Sequence, residues 1–243
     1  MKKYSKEKIK DIYNSPLLNL IYRAAAIHRR FHNPSEIQVS ALLSIKTGGC
    51  TEDCGYCSQS VHHQTDIDVN GLISVEEVIS AAASAKKSGA TRMCLGAAWR
   101  EVKNNDDFDK VLQMVKAITD LGMETCCTLG MLTEEQAKKL AGAGLHAYNH
   151  NLDSSKNFYE KIITTRKYDD RLNTIENIRK TKINVCCGGI IGMGESADDR
   201  IELLYSLSHL EPQPESVPIN ALIPMEGTPL GNHNTVMIWD IVR

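Results

Sequence analysis

From residue 38 to residue 222 the chain alternates between short strand-like runs and segments with helical periodicity. This alternation constrains the fold more than any other feature. Six runs fall near 38–46, 91–96, 123–129, 145–151, 183–190 and 216–222. Between the first five lie helical segments near 74–88, 105–121, 133–142 and 168–181, and a further one near 196–209 precedes the sixth run. Strands that alternate with helices pair in parallel, because each helix carries the chain back to the same end of the sheet. Ser74 with Glu77 and Thr133 with Gln136 have capping-box spacing at two helix starts. Gly89, Gly122 and Gly144 follow helices, where a left-handed turn favours glycine. The spacing also predicts a helix over 15–32, capped by Ser15 with Pro16 in its first turn.

The expected fold is α/β: a TIM-type (β/α) barrel, incomplete, with about six βα units and an N-terminal helix. Residues 1–34 form the helical extension and 35–243 a single barrel domain. A full (β/α)8 barrel takes about 250 residues, or as few as about 200. Six units with the first 34 residues outside them leave its last strands unsupplied. Open sheet edges are then expected near 38–46 and 216–222, and such edges favour self-association.

Composition closes off other classes. With 42% hydrophobic residues, 24% charged and a net charge of −2, the chain is an ordinary globular sequence with no electrostatic case for nucleic acid or an anionic membrane. No apolar run approaches the ~20 residues of a membrane-spanning helix. The start, MKKYSKEKIKDIYN, lacks an apolar core for a secretory signal, and Glu7 and Asp11 argue against a transit peptide, so a cytoplasmic location is expected. A chain this long builds its core without disulfides, so its eight cysteines call for another reading.

Side chains alternate across a strand, and each run has one polar face. Ser44 and Lys46 share a face in the first, Arg92 and Cys94 in the second, and Glu124, Cys126 and Thr128 in the third. Asn149, Asn151 and Asp153 share one in the fourth, Asn184 and Cys186 in the fifth, and Asn220 is the polar residue of the sixth. Buried parallel strands are normally apolar throughout. The polar faces are therefore expected to line a cavity, which selects Cys126 over Cys127 and Cys186 over Cys187. His150 falls on the apolar face and reads as a packed core histidine.

Cys50, Cys54 and Cys57 form a C-x3-C-x2-C loop after the first strand. Three thiolates on a short loop suit a four-iron cubane and leave one iron open. Zinc is the alternative, with His62 or His63 closing the site, and unconnected thiols are another.

The loop, with Tyr56 before its last cysteine, resembles the signature of radical S-adenosylmethionine enzymes. RMCLGAAW (92–99), TCCTLG (125–130), YNHNLDS (148–154), ITTR (163–166), VCCGGIIGMGE (185–195) and ESVPIN (215–220) extend the resemblance to the biotin synthase family within that group. The resemblance implies that Cys50, Cys54 and Cys57 hold a [4Fe–4S] cluster whose open iron binds S-adenosylmethionine. One electron, from a donor such as flavodoxin or ferredoxin, cleaves the sulfonium, and the adenosyl radical takes hydrogen from dethiobiotin. Cys94, Cys126 and Cys186 match the ligands of a [2Fe–2S] cluster that supplies the sulfur.

The resemblance also assigns binding residues. Asn149 and Asn151 would contact dethiobiotin, with Asn220 a similar candidate. Asn151 and Asp153 would contact S-adenosylmethionine, and Arg171 its carboxylate. Gly188, Ile190, Gly192 and Glu195 would run along the adenine, with Tyr56 near it. A cytoplasmic homodimer is implied. Cys127 and Cys187 are additions to the family pattern, and Ser154 stands where threonine is commoner. Family chains run on by roughly a further quarter, and no residue here matches the arginine that completes the [2Fe–2S] site. The 243 residues alone are therefore expected to bind the [4Fe–4S] cluster but to make little biotin. The other readings are a non-catalytic iron–sulfur or zinc-binding fragment and a different radical enzyme of related architecture.

Overall fold

The computed structural model describes residues 3–243. Helices α1 (Lys6–Tyr13) and α2 (Leu17–Phe31) precede β1 (Ser40–Lys46). There follow α3 (Val75–Lys87), β2 (Arg92–Ala97), α4 (Asp106–Asp120), β3 (Glu124–Thr128), α5 (Glu134–Gly142) and β4 (Ala147–Asn149). The rest comprises the one-turn α6 (Lys156–Tyr159), then α7 (Tyr168–Arg179), β5 (Asn184–Cys186), β6 (Gly189–Ile191), α8 (Ala197–His209), β7 (Ile219–Ala221) and α9 (Ile238–Val242).

Strands β1 to β5 form one parallel sheet in chain order, and β6 and β7 form a second parallel pair. Single parallel bridges, Asp153 to Gly189 and Cys186 to Ser216, connect the two pieces. The sheet order of an incomplete βα barrel is thus present, with its helices on the outside. Both expected capping boxes form, at Ser74 and Thr133. Gly89, Gly122 and Gly144 all take positive φ after their helices.

The expected helix over 15–32 forms as α2, and a further helix, α1, precedes it. Ser5 caps α1, accepting from Lys8 N, and Pro16 occupies the cap position of α2. Ser15 is not a cap: its hydroxyl donates to Asp11 O at 2.9 Å, closing the end of α1. Ile9 and Tyr13 pack on Ile201 of α8, whereas α2 buries no residue.

The run 183–190 also divides. Asn151 Oδ1 accepts from Gly188 N at 3.0 Å, while Gly188 O accepts from Leu152 N and Asp153 N. Both backbone groups that would have continued β5 are spent on the 151–153 loop. A Cβ at Gly188 would lie 1.8 Å from Pro218 O, so only glycine fits this crossing.

The core lies between the outer helices and one face of the sheet. Leu95, Cys127, Leu129, Tyr148 and Cys187 are fully buried in it. Cys127 and Cys187 thus face the helices, and Cys126 and Cys186 the opposite side, as the alternation requires.

Candidate cluster and cofactor site

The cysteine loop begins four residues after β1 and folds over the carboxyl ends of the strands. Cys54 is buried, while Cys50 and Cys57 are half-buried. Cys50 and Cys54 open on a cavity lined also by Asn149, His150, Asn151, Asp153, Arg166 and Arg171. Cys50 and Cys57 open on an adjoining one lined by Ser44, Lys46, Gly96 and Thr128. Burial pushes the Cys54 thiol up to about 12 and raises that of Cys57. Burial thus disfavours the thiolate at both places, and a bound cation would offset that cost.

These donors fit a cubane better than zinc. Among the described residues no three His, Cys, Asp or Glu side chains converge on one metal ion. A cubane needs no such convergence, since each iron takes its own thiolate. The histidines that might have closed a zinc site are engaged elsewhere: His62 Nε2 donates to Thr51 O at 3.2 Å and His63 Nε2 to Cys54 O at 3.0 Å.

The loop is fastened to residues 162–166. Gly55 N donates to Ile162 O at 2.8 Å. The Asp53 carboxylate accepts from Thr164 N at 2.9 Å, from Thr165 N at 3.2 Å and from both threonine hydroxyls. Burial opposes its ionisation, but these hydrogen bonds prevail and hold its carboxyl down at about 2. Glu52, 3% exposed, accepts from the Thr165 hydroxyl and lies 3.1 Å from Arg100 Nη1.

Behind the cavity lies a buried polar hub. Asp153, at φ 66°, accepts from Tyr56 OH at 2.8 Å and pairs with Arg171 Nη2. Arg171 Nε donates to Tyr159 OH at 2.8 Å and Nη1 to Asn151 O at 2.7 Å. Burial first, then the Asp153 charge, raises the Tyr56 phenol well above its ordinary value. Only Asn149 of the three expected strand residues lies in β4; Asn151 and Asp153 belong to the loop that interrupts β5.

The second cysteine set lies deeper. Cys94 pairs in register with Cys126, and Asn149 with Cys186. The two thiols of Cys94 and Cys126 influence each other's ionisation, Cys94 being lowered and Cys126 raised. Burial raises the Cys186 thiol, while Ser216 and Arg92 act against that rise. Arg92 donates to Glu124 through Nε at 2.9 Å and Nη2 at 2.7 Å, and so closes the bottom of this face.

Other expected residues stand apart. Glu195 accepts from Gly192 N at 2.9 Å and Met193 N at 2.8 Å and pairs with Arg200 at 2.7 Å, so its carboxylate is consumed in folding its own loop. Gly192 takes φ 92° in that loop. Ile190 and Asn220 are register partners on β6 and β7, and Asn220 is exposed.

His150 corrects its expectation. It is buried, but it lines the cavity with Nε2 unpartnered, and burial, then Arg171 and Arg166, keeps it neutral. The alternation that placed it with the core assumed a strand through residue 151, and β4 ends at 149. Sequence reading gave no role to Glu52 or to Arg166, the last residue of the ITTR run, and their contact spans 114 positions.

The Radical SAM superfamily model matches residues 44–207. A biotin synthase of Cytophaga hutchinsonii is 59% identical over 240 residues, covering 99% of this chain and 71% of the relative. One of Nostoc sp. is 58% identical, covering 99% and 72%. One of Christiangramia forsetii is 59% identical, covering 99% and 66%. Among solved structures, methylornithine synthase superposes with a TM-score of 0.81 at 17% identity, covering 96% of this chain and 68% of that one. The [FeFe]-hydrogenase maturase HydG gives 0.82 at 20%, covering 99% and 56%. These two likenesses establish the fold. The curated relatives match from end to end of this chain and run on beyond it. On the identity and coverage of those relatives, the chain belongs to the biotin synthase family, within the Radical SAM superfamily.

Proposed function

We propose that the protein converts dethiobiotin to biotin by sulfur insertion, with S-adenosylmethionine as co-substrate. The observation that carries this reading is the stacking of two cysteine sets on one side of a parallel wall. Cys50, Cys54 and Cys57 lie at its carboxyl rim, and Cys94, Cys126 and Cys186 lie deeper on its cavity face. The first set would hold a [4Fe–4S] cluster and the second a [2Fe–2S] cluster; when bound, they supply the electron that cleaves the sulfonium and the sulfur that is inserted.

The chain's own residues bind and orient. The unpartnered, buried Asn149 Oδ1 suits a ureido N–H of dethiobiotin, and a hydroxyl or amide ligand suits Asn151. Asp153 would accept from ribose hydroxyls. Arg171 and Tyr56 both hold that carboxylate through its Oδ2. Gly188 and Ile190 would offer backbone along the adenine, and the Gly192–Glu195 loop holds that strand's end. Asn220 would meet substrate from the β7 side. The apolar ring of Trp99 lines both cavities and excludes water from the space between them. On this reading the protein is a cytoplasmic homodimer reduced by flavodoxin or ferredoxin.

The test is anaerobic reconstitution followed by iron and sulfide analysis and product assay. The expected result is both clusters, with 5′-deoxyadenosine formed in response to dethiobiotin. Zinc in place of iron and sulfide, or cofactor cleavage indifferent to dethiobiotin, would refute it.

A further inference from the structure

We infer that His63 is a positioning residue for the proposed [4Fe–4S] cluster, holding from outside the backbone carbonyl on which two of its three cysteines are spaced. The inference deepens the functional reading above and rests on it. Cys57 N donates to Cys54 O at 2.9 Å, closing the four-residue turn that carries both thiols. The same carbonyl accepts from His63 Nε2 at 3.0 Å, so both of its lone pairs are used. A carbonyl has no proton to give, so Nε2 carries the hydrogen.

The third cysteine is tied to the same stretch of chain. Cys50 N donates to Gln59 O at 2.9 Å, and Cys50 O accepts from Val61 N at 2.8 Å. Residues 59–63 thus hold Cys50 at one end and the Cys54–Cys57 turn at the other. Of these ties to the cysteines, that of His63 alone is made by a side chain. The identity of residue 63 therefore decides how firmly the two ends are set apart. His62 provides the contrast. Its Nε2 donates to Thr51 O at 3.2 Å, but Thr51 is exposed and carries no thiol. Cys54 is the buried thiol of the three, where close packing leaves its sulfur little room to follow a displaced backbone. His63 is half-buried and borders an open groove with Thr65 and Asp66, so replacing it leaves no void in the core. A four-iron cluster needs its thiolates at fixed separations. Groups that hold metal ligands from behind are typically worth about 10- to 100-fold in metal affinity.

The experiment uses the full chain, anaerobically reconstituted. It follows the electron paramagnetic resonance signal of the reduced [4Fe–4S] cluster as an iron chelator removes metal. His63→Leu should lose that signal about 10- to 100-fold faster than the parent, with altered g values before the loss. His63→Gln, whose amide restores a donor, should stay near the parent in both respects. His62→Leu should also stay near the parent. The iron-free chains should melt together, since no core contact is lost. Parent-like retention in His63→Leu would overturn the inference, as would equal acceleration in His62→Leu. A glutamine variant as labile as the leucine one would overturn it too. So would a lower melting point of iron-free His63→Leu, which would make the histidine a general stabiliser. A parent that takes up no iron and sulfide would instead refute the functional reading.

Discussion

Cys126 and Cys127 are neighbours in β3, and their replacement by serine should produce opposite phenotypes. Cys127 is fully buried among apolar side chains, and burial raises its thiol above the usual range. A serine hydroxyl there meets no partner, and burying it unpaired costs about 1–3 kcal/mol. For a chain of this length that lowers Tm by roughly 2–4 °C per kcal/mol, or about 2–12 °C in all. Cys126 is 6% exposed and is the register neighbour of Cys94 on the cavity side. Serine there lies outside the apolar core and borders the cavity, so Tm should change by less than about 3 °C. On the proposed function it removes one soft thiolate from the deeper set, however, and the absorbance of the proposed [2Fe–2S] cluster after reconstitution should fall to background. Cys127→Ser should keep that absorbance near the parent's. Melting curves and visible spectra on the same samples decide the matter. Equal loss of absorbance in both variants, or a melting defect in Cys126→Ser alone, would refute the claim that the two side chains face opposite sides of the sheet.

Three further outcomes are expected. Cys54→Ala should abolish reductive cleavage of S-adenosylmethionine, because a cubane left with two thiolates loses iron; 5′-deoxyadenosine at the parent's rate would contradict the assignment. Gly188→Ala should cost about 3 kcal/mol or more, since its Cβ would meet Pro218 O at 1.8 Å, and a melting point equal to the parent's would count against the crossing described here. Asp53→Ala leaves Thr164 N and Thr165 N without their acceptor and should cost about 1–3 kcal/mol, with faster loss of iron to a chelator; unchanged iron retention would show that this clamp does not support the cluster loop.

What the sequence disclosed follows the range of the interactions involved. The capping boxes at Ser74 and Thr133 are local, and both are present. The opposite facing of Cys126 and Cys127 is a two-residue periodicity, and only Cys127 packs into the apolar core. The division of 183–190 was not legible, because it depends on Asn151 and Pro218 reaching Gly188 from distant segments. His150 was misread for the same reason, since β4 stops where that loop leaves the sheet. Ser15 looked like a cap because its local pattern suits one, yet its hydroxyl turns back to α1. Glu52 and Arg166 are ordinary charged residues in sequence and become distinctive only when burial brings them together.

The anchoring of the cysteine loop has a consequence for biosynthesis. Its fasteners, Ile162, Thr164 and Thr165, lie more than a hundred residues downstream, with separations of 111 and 113 positions for the Asp53–Thr164 and Glu52–Thr165 contacts. At ribosomal rates of roughly 5–20 residues per second, the loop emerges about 5–20 s before its anchor is made. Iron that arrives in that interval meets thiols with no seat and a neighbouring Asp53 with no donors. A cluster held by this loop would therefore gain its clamped seat only once translation has passed residue 166.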